Sequence, residues 1–154
     1  MANKLTINID IDVLDSVAEL SEQEMQAMEL AKQAAADAYA PYSNYSVGAA
    51  LLMADGRIVT GCNVENASYG LSMCAERSAV FAAAGAGSRT VHACVVVTAD
   101  GGTPCGACRQ VLSEFHDDTH PMQIIAVTPV GAITMNTWLR DLLPNGFGFG
   151  GRTF

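Results

Sequence analysis

Five cysteines lie along the 154-residue chain, and three of them fall in two short segments. The first is Cys74-Ala75-Glu76 and the second is Pro104-Cys105-Gly106-Ala107-Cys108. Three thiols can hold a zinc ion and leave its fourth tetrahedral position open, which marks a catalytic site rather than a structural one. Glu76 sits two residues from the first thiol, close enough to move protons on whatever fills that position. Cys105 and Cys108 are three apart, so on the first turn of a helix they share one face. Cys74 would come from the start of another helix. Both helix N-termini would then point partial positive charge at the sulfurs, lowering their pKa and favouring a metal. Taken alone, Cys-x-x-Cys reads equally as a redox dithiol or as half of a structural zinc site. The 27 residues from 77 to 103 leave room for one helix and one strand, and with Cys74 and Glu76 included the pattern points to catalytic zinc.

Three thiolates around one divalent zinc leave a formal charge of about −1, which weakens the metal's pull on bound water. A nearby cation is needed. Arg77 follows the glutamate directly and can hydrogen-bond a cysteine sulfur. Its bland alternative is a surface arginine in a weak ion pair. Glu76 without the cysteines would read as a solvated residue capping a helix.

The segments Cys74-Ala75-Glu76-Arg77 and Pro104-Cys105-Gly106-Ala107-Cys108-Arg109-Gln110 resemble those of small, homotetrameric, zinc-dependent cytidine deaminases that act on free nucleosides. The resemblance covers about Ser21 to Phe147. It implies a three-layer α/β/α sandwich with one mixed five-stranded sheet. It also implies one Zn2+ per chain on Cys74, Cys105 and Cys108, with Glu76 as proton carrier and Arg77 on a zinc thiolate. The stretch Gly61-Cys62-Asn63-Val64-Glu65-Asn66-Ala67-Ser68-Tyr69 resembles the family's ribose-binding strand end, which assigns Asn63 and Glu65 to the sugar. Ala75 is carried over as a substrate contact.

Pro41-Tyr42-Ser43-Asn44-Tyr45-Ser46-Val47-Gly48 matches the stretch that sets an aromatic ring beside the pyrimidine. Here Tyr45 and Ser46 replace the family's usual Phe and Pro, so the tyrosine hydroxyl needs a partner of its own. Leu142-Leu143-Pro144-Asn145-Gly146-Phe147 resembles the segment whose phenylalanine enters a neighbouring subunit's site. Phe147 is the matching position. The activity implied is hydrolytic deamination of cytidine and 2'-deoxycytidine in pyrimidine salvage. The rivals are a deaminase of a nucleoside antibiotic such as blasticidin S and a non-catalytic, zinc-stabilised interaction domain.

The elements that must position these residues can be read from pattern. Leu5, Ile7, Ile9, Ile11 and Val13 alternate with polar residues, as in a strand, and residues 1–20 form an extension of unassigned role. Ser21-Glu22-Gln23-Glu24 predicts a capping box opening a helix to about Tyr39, stopped by Pro41. Asp55-Gly56 predicts a two-residue hairpin between strands at Val47–Ala54 and Arg57–Asn63. Helices are expected from near Cys74 to Gly85 and from Cys105 to about Phe115. Strands are expected at His92–Ala99, Gln123–Val127 and Ile133–Met135, with Thr137 capping a short helix through Leu143. Residues 148–154 read as a glycine-rich tail.

Composition narrows the partners. The formal charge is −8, with only eight Lys and Arg. That balance disfavours a nucleic-acid polymer, which wants a basic stripe, and leaves a small uncharged nucleoside unopposed. No run is long or apolar enough for a membrane span or export signal, so the cytoplasm is the expected location. An odd cysteine count makes a disulfide framework a poor reading. Cys62 and Cys94 lack companions at ligand spacing, and His92, His116 and His120 lie outside the motifs.

Overall fold

Residues 6, 8, 9, 11–14 and 17–148 are described by the structure, a computed structural model. The Ser21 capping box forms as expected. The Ser21 hydroxyl accepts from the Glu24 amide, and the Glu24 carboxylate accepts from the Ser21 amide at 2.7 Å. Helix α1 (Glu22–Ala36) is shorter than the sequence pattern suggests. Tyr39 is taken by a strand-like pairing instead: its amide donates to the Asn63 carbonyl at 3.0 Å and its carbonyl accepts from Glu65 at 2.8 Å.

Strands β1 (Gly48–Met53) and β2 (Ile58–Cys62) form the hairpin, but its loop is wider than the two residues expected. The Met53 amide closes onto the Arg57 carbonyl, Gly56 takes φ of 83°, and the Ala54 amide leaves the ladder to reach Thr90. A glycine in the left-handed region after a turn is the usual three-residue hairpin solution. Helix α2 (Ala75–Gly85), strand β3 (Val91–Val97), helix α3 (Gly106–Ser113) and strand β4 (Gln123–Val127) follow in turn. Strand β5 runs Ile133–Trp138, longer than expected, so Thr137 is a buried strand residue and not a helix cap. Trp138 precedes the one-turn helix α4 (Leu139–Leu142).

The sheet order is β2-β1-β3-β4-β5, with β3 and β4 parallel and the other pairs antiparallel. Alternation along the strands divides the core in two. On one face Ala50, Val95, Val97, Ile125 and Val127 pack with Ala27, Met28 and Ala31 of α1. On the other Leu51, Cys94, Val96 and Ile124 pack with Ala79, Val80 and Ala83 of α2 and Leu112 of α3. The architecture is therefore the expected three-layer sandwich around one mixed five-stranded sheet.

Of the N-terminal stretch, Asp12 pairs with Asn136 at the outer edge of β5 through two backbone hydrogen bonds of 2.7 and 3.0 Å. Ile9, Ile11 and Val13 are exposed. Leu5 and Ile7, and residues 149–154 of the glycine-rich tail, lie outside the described residues.

Candidate metal centre and active site

Parallel strands end at one edge of a sheet, and the loops leaving that edge meet the N-termini of the following helices. Here Val96 and Thr98 at the end of β3 form the floor of a cavity of about 440 Å3. Its walls include Tyr45, Asn63, Glu65, Cys74, Glu76 and Cys105. Cys74 is the N-cap of α2 and Cys105 the N-cap of α3, both in extended conformation and neither capping with its own side chain. Each sulfur is thereby free to turn into the cavity.

The sulfurs of Cys74, Cys105 and Cys108 all lie within 4.8 Å of one another. The Cys105 and Cys108 sulfurs are 3.5 Å apart and no disulfide joins them. Two zinc–sulfur bonds of about 2.3 Å at a tetrahedral angle would set sulfurs roughly 3.8 Å apart, so the donor set fits a zinc ion. Hydrogen bonds from the other thiols and from Arg77 outweigh burial and bring the Cys74 thiol down to about 5. The Cys108 thiol is pushed up, first by that same shared hydrogen bond with Cys74 and then by burial.

Arg77 leans back over one helical turn, and its Nη2 donates to the Cys74 sulfur at 3.4 Å. Its Nε is buried without a hydrogen-bond partner among the described residues. Glu76 is 4% exposed on the first turn of α2. Burial, with the nearby Cys74 charge, holds its carboxyl above the ordinary value.

The rest of the cavity lining is built by long-range hydrogen bonds. The Asn63 side-chain oxygen accepts from the Val47 amide and its NH2 donates to the Tyr45 carbonyl, each at 2.8 Å. One amide hydrogen remains for a ligand. One Glu65 carboxylate oxygen accepts from the Tyr42 amide at 2.8 Å and the Ser43 amide at 3.3 Å. Hydrogen bonds from the Ser43 side chain and the Tyr42 amide keep its carboxyl below the usual range. Tyr45 has the partner its hydroxyl requires: it donates to Asp100, which also accepts from Thr98. Burial and that contact raise the tyrosine pKa.

Ala75 is fully buried and is not among the residues lining the cavity. Phe147 is 72% exposed and is not among the residues lining this cavity; its carbonyl accepts from Gln110 at 2.8 Å. Asp100, Ser43 and Thr98 escaped the sequence reading. Only the unmet hydroxyl of Tyr45 could have signalled Asp100. Cys94 is fully buried in the core and Cys62 lies against the Asp37 carbonyl, so neither belongs to the sulfur cluster.

Three soft donors able to hold a metal ion, a buried carboxylate and a cavity large enough for a nucleoside come together in one part of the fold. Residues 21–123 match the family described as the cytidine and deoxycytidylate deaminase zinc-binding region, and the chain belongs to that family. A cytidine deaminase of Mycobacterium tuberculosis is 48% identical over 120 residues, covering 77% of this chain and 84% of the relative. One of Sporosarcina psychrophila is 44% identical over 118 residues, covering 75% and 85%. The crystal structure of cytidine deaminase from Burkholderia pseudomallei superposes with a TM-score of 0.73 at 45% identity, covering 83% of this chain and all of that one.

Proposed function

We propose that the chain hydrolyses cytidine and 2'-deoxycytidine to the uracil nucleosides with release of ammonia, as a zinc-dependent enzyme of pyrimidine salvage. The observation that carries this reading is a buried Glu76 lining the same cavity as Cys74 and Cys105 of the sulfur cluster, together with Asn63 and Glu65. A zinc ion on Cys74, Cys105 and Cys108 supplies the Lewis acidity that makes water a nucleophile near neutral pH. Glu76 moves the protons. It takes one from the attacking water and places it on ring N3, then takes the second and passes it to the departing amino group. The balance is one water in and one ammonia out. Burial of the carboxyl suits it to both halves of this exchange, because a proton carrier works best when neither state is strongly favoured. Arg77 offsets part of the negative charge on the sulfurs.

Tyr45, fixed by Asp100, offers its ring to the pyrimidine. The Glu65 carboxylate and the spare Asn63 hydrogen suit the sugar 3'-hydroxyl, and Ala75 is a further substrate contact. The catalytic unit spans residues 21–147, and the enzyme works in the cytoplasm as a homotetramer. Phe147 then enters a neighbouring subunit's cavity, a role its exposure permits. The exposed Phe81, Tyr69 and Leu71 supply further apolar surface for such contacts. No described helix is long and apolar enough to cross a membrane.

A substrate panel tests the reading. Cytidine is expected to be turned over, while blasticidin S and cytosine in single-stranded DNA are not. Glu65→Ala should lower kcat/KM on cytidine by ~10- to 150-fold, the size of a lost charged hydrogen bond of about 1.5–3 kcal/mol. It should cost far less on 3'-deoxycytidine. A parent enzyme that handles 3'-deoxycytidine as well as cytidine would remove the sugar contact, and turnover confined to blasticidin S would replace the function.

A further inference from the structure

The chain has three histidines, and the fold brings two of them together far from the sulfur cluster. His92 lies second in β3, at the end of that strand remote from Thr98, which lines the cavity. At about 3.3 Å per residue, six residues of extended chain put the two sites roughly 20 Å apart. Asp117 and His120 come from the turn between α3 and β4, which the His120 amide closes onto the Asp117 carbonyl at 3.1 Å. One ligand atom from each of His92, Asp117 and His120 falls within 4.8 Å of the other two.

The details favour a ligand set over a plain ion pair. One Asp117 oxygen is occupied by the Thr119 amide and hydroxyl at 2.8 and 2.7 Å. Its other oxygen faces the His120 ring nitrogen at 3.3 Å, the separation of neighbouring ligands on a metal with bonds of about 2.0–2.1 Å. The His92 and His120 rings are 5.1 Å apart and inclined by only 32°. His116 meets a partner at each ring nitrogen, the Ser113 carbonyl at 2.6 Å and Asp118 at 2.9 Å, whereas the contacts of His120, to the Thr119 hydroxyl at 2.9 Å and to Asp117, both fall on its Nδ1.

We propose that His92, Asp117 and His120 form a second divalent metal site, separate from the catalytic centre. Two imidazoles and one carboxylate suit zinc, nickel, cobalt or copper, and not magnesium or calcium. A metal there ties the 117–120 turn to the start of β3, so it stabilises the fold and takes no part in the chemistry at Glu76. This site stands or falls independently of the substrate.

The test adds Ni2+ to zinc-loaded enzyme and follows the histidine imidazoles by nitrogen-detected NMR, with metal uptake and Tm measured alongside. One further equivalent should bind, the His92 and His120 signals should broaden before that of His116, and Tm should rise. His120→Ala removes a side chain that is 65% exposed, so it should fold normally. It should weaken Ni2+ binding at least ~10- to 100-fold and abolish the Tm rise, with cytidine turnover unchanged. Asp117→Asn keeps a partner for Thr119 and should weaken binding likewise. Uptake that stops at the catalytic equivalent would overturn the proposal. So would nickel binding unaffected by His120→Ala, or nickel that enters only by displacing zinc with loss of activity.

Discussion

Glu76→Gln should lower kcat on cytidine by ~100- to 10,000-fold while the protein keeps one zinc per chain, the loss typical of a positioned acid–base group. The amide fills the same space and can still hydrogen-bond, so packing around the first turn of α2 changes little. It cannot carry a proton. Glu76 is 4% exposed, so bulk buffer substitutes poorly for the missing carboxyl. The loss should appear in kcat more than in KM, because proton transfer is made in the transition state and not in the bound ground state. Steady-state kinetics with metal analysis on the same sample checks this. Turnover within a few-fold of the parent would mean that the proton carrier is another group.

Gly61→Ala should destabilise the protein by at least ~1–3 kcal/mol, the usual cost of forcing extra volume into a packed interior. A Cβ at Gly61 would come within 2.4 Å of the Ala79 nitrogen and 2.6 Å of the Ala75 oxygen. Both are backbone atoms of α2, so no side-chain rotation relieves the clash and the helix itself must move. For a chain of this size the loss corresponds to a Tm lower by roughly 2–12 °C. Because α2 carries Glu76 and is capped by Cys74, activity per bound zinc should fall as well. Gly48→Ala is the control. Its Cβ would sit 1.9 Å from the Ala31 oxygen of α1, on the other face of the sheet. It should lower Tm comparably with a smaller loss of activity per zinc. Unchanged Tm in Gly61→Ala would contradict the close packing of α2 on β2.

What could be read from the chain and what could not divide along a physical line. The Ser21 box, the cysteine segments and the apolar runs of β3 and β4 are local signals, encoded within a few residues, and the structure places them where they were expected. The errors arise where a distant partner competes. Tyr39 leaves its helix because Asn63 and Glu65 offer backbone hydrogen bonds, and Ala54 leaves the hairpin ladder for Thr90. Thr137 looks like a cap in isolation but is buried in β5 opposite Ile124. The metal-ligand set itself was legible because its chemistry permits few residue types at few spacings. The wall of the cavity was less so. Asp100 holds Tyr45 across a separation of 55 residues, and no periodicity announces such a pair. His92 and His120 stand 28 residues apart for the same reason (120 minus 92), and only the parallel pairing of β3 with β4 brings them together.

Deamination of cytidine by this chain should depend on a zinc ion held by Cys74, Cys105 and Cys108. Stripping the metal with a chelator and restoring Zn2+ in steps, while following cytidine loss and ammonia release, tests it most directly. Activity should be absent from the stripped protein, rise in proportion to zinc up to one equivalent per chain, and stay level as further zinc enters elsewhere. Full turnover of cytidine by metal-free protein, or no turnover at one equivalent of zinc, would contradict it.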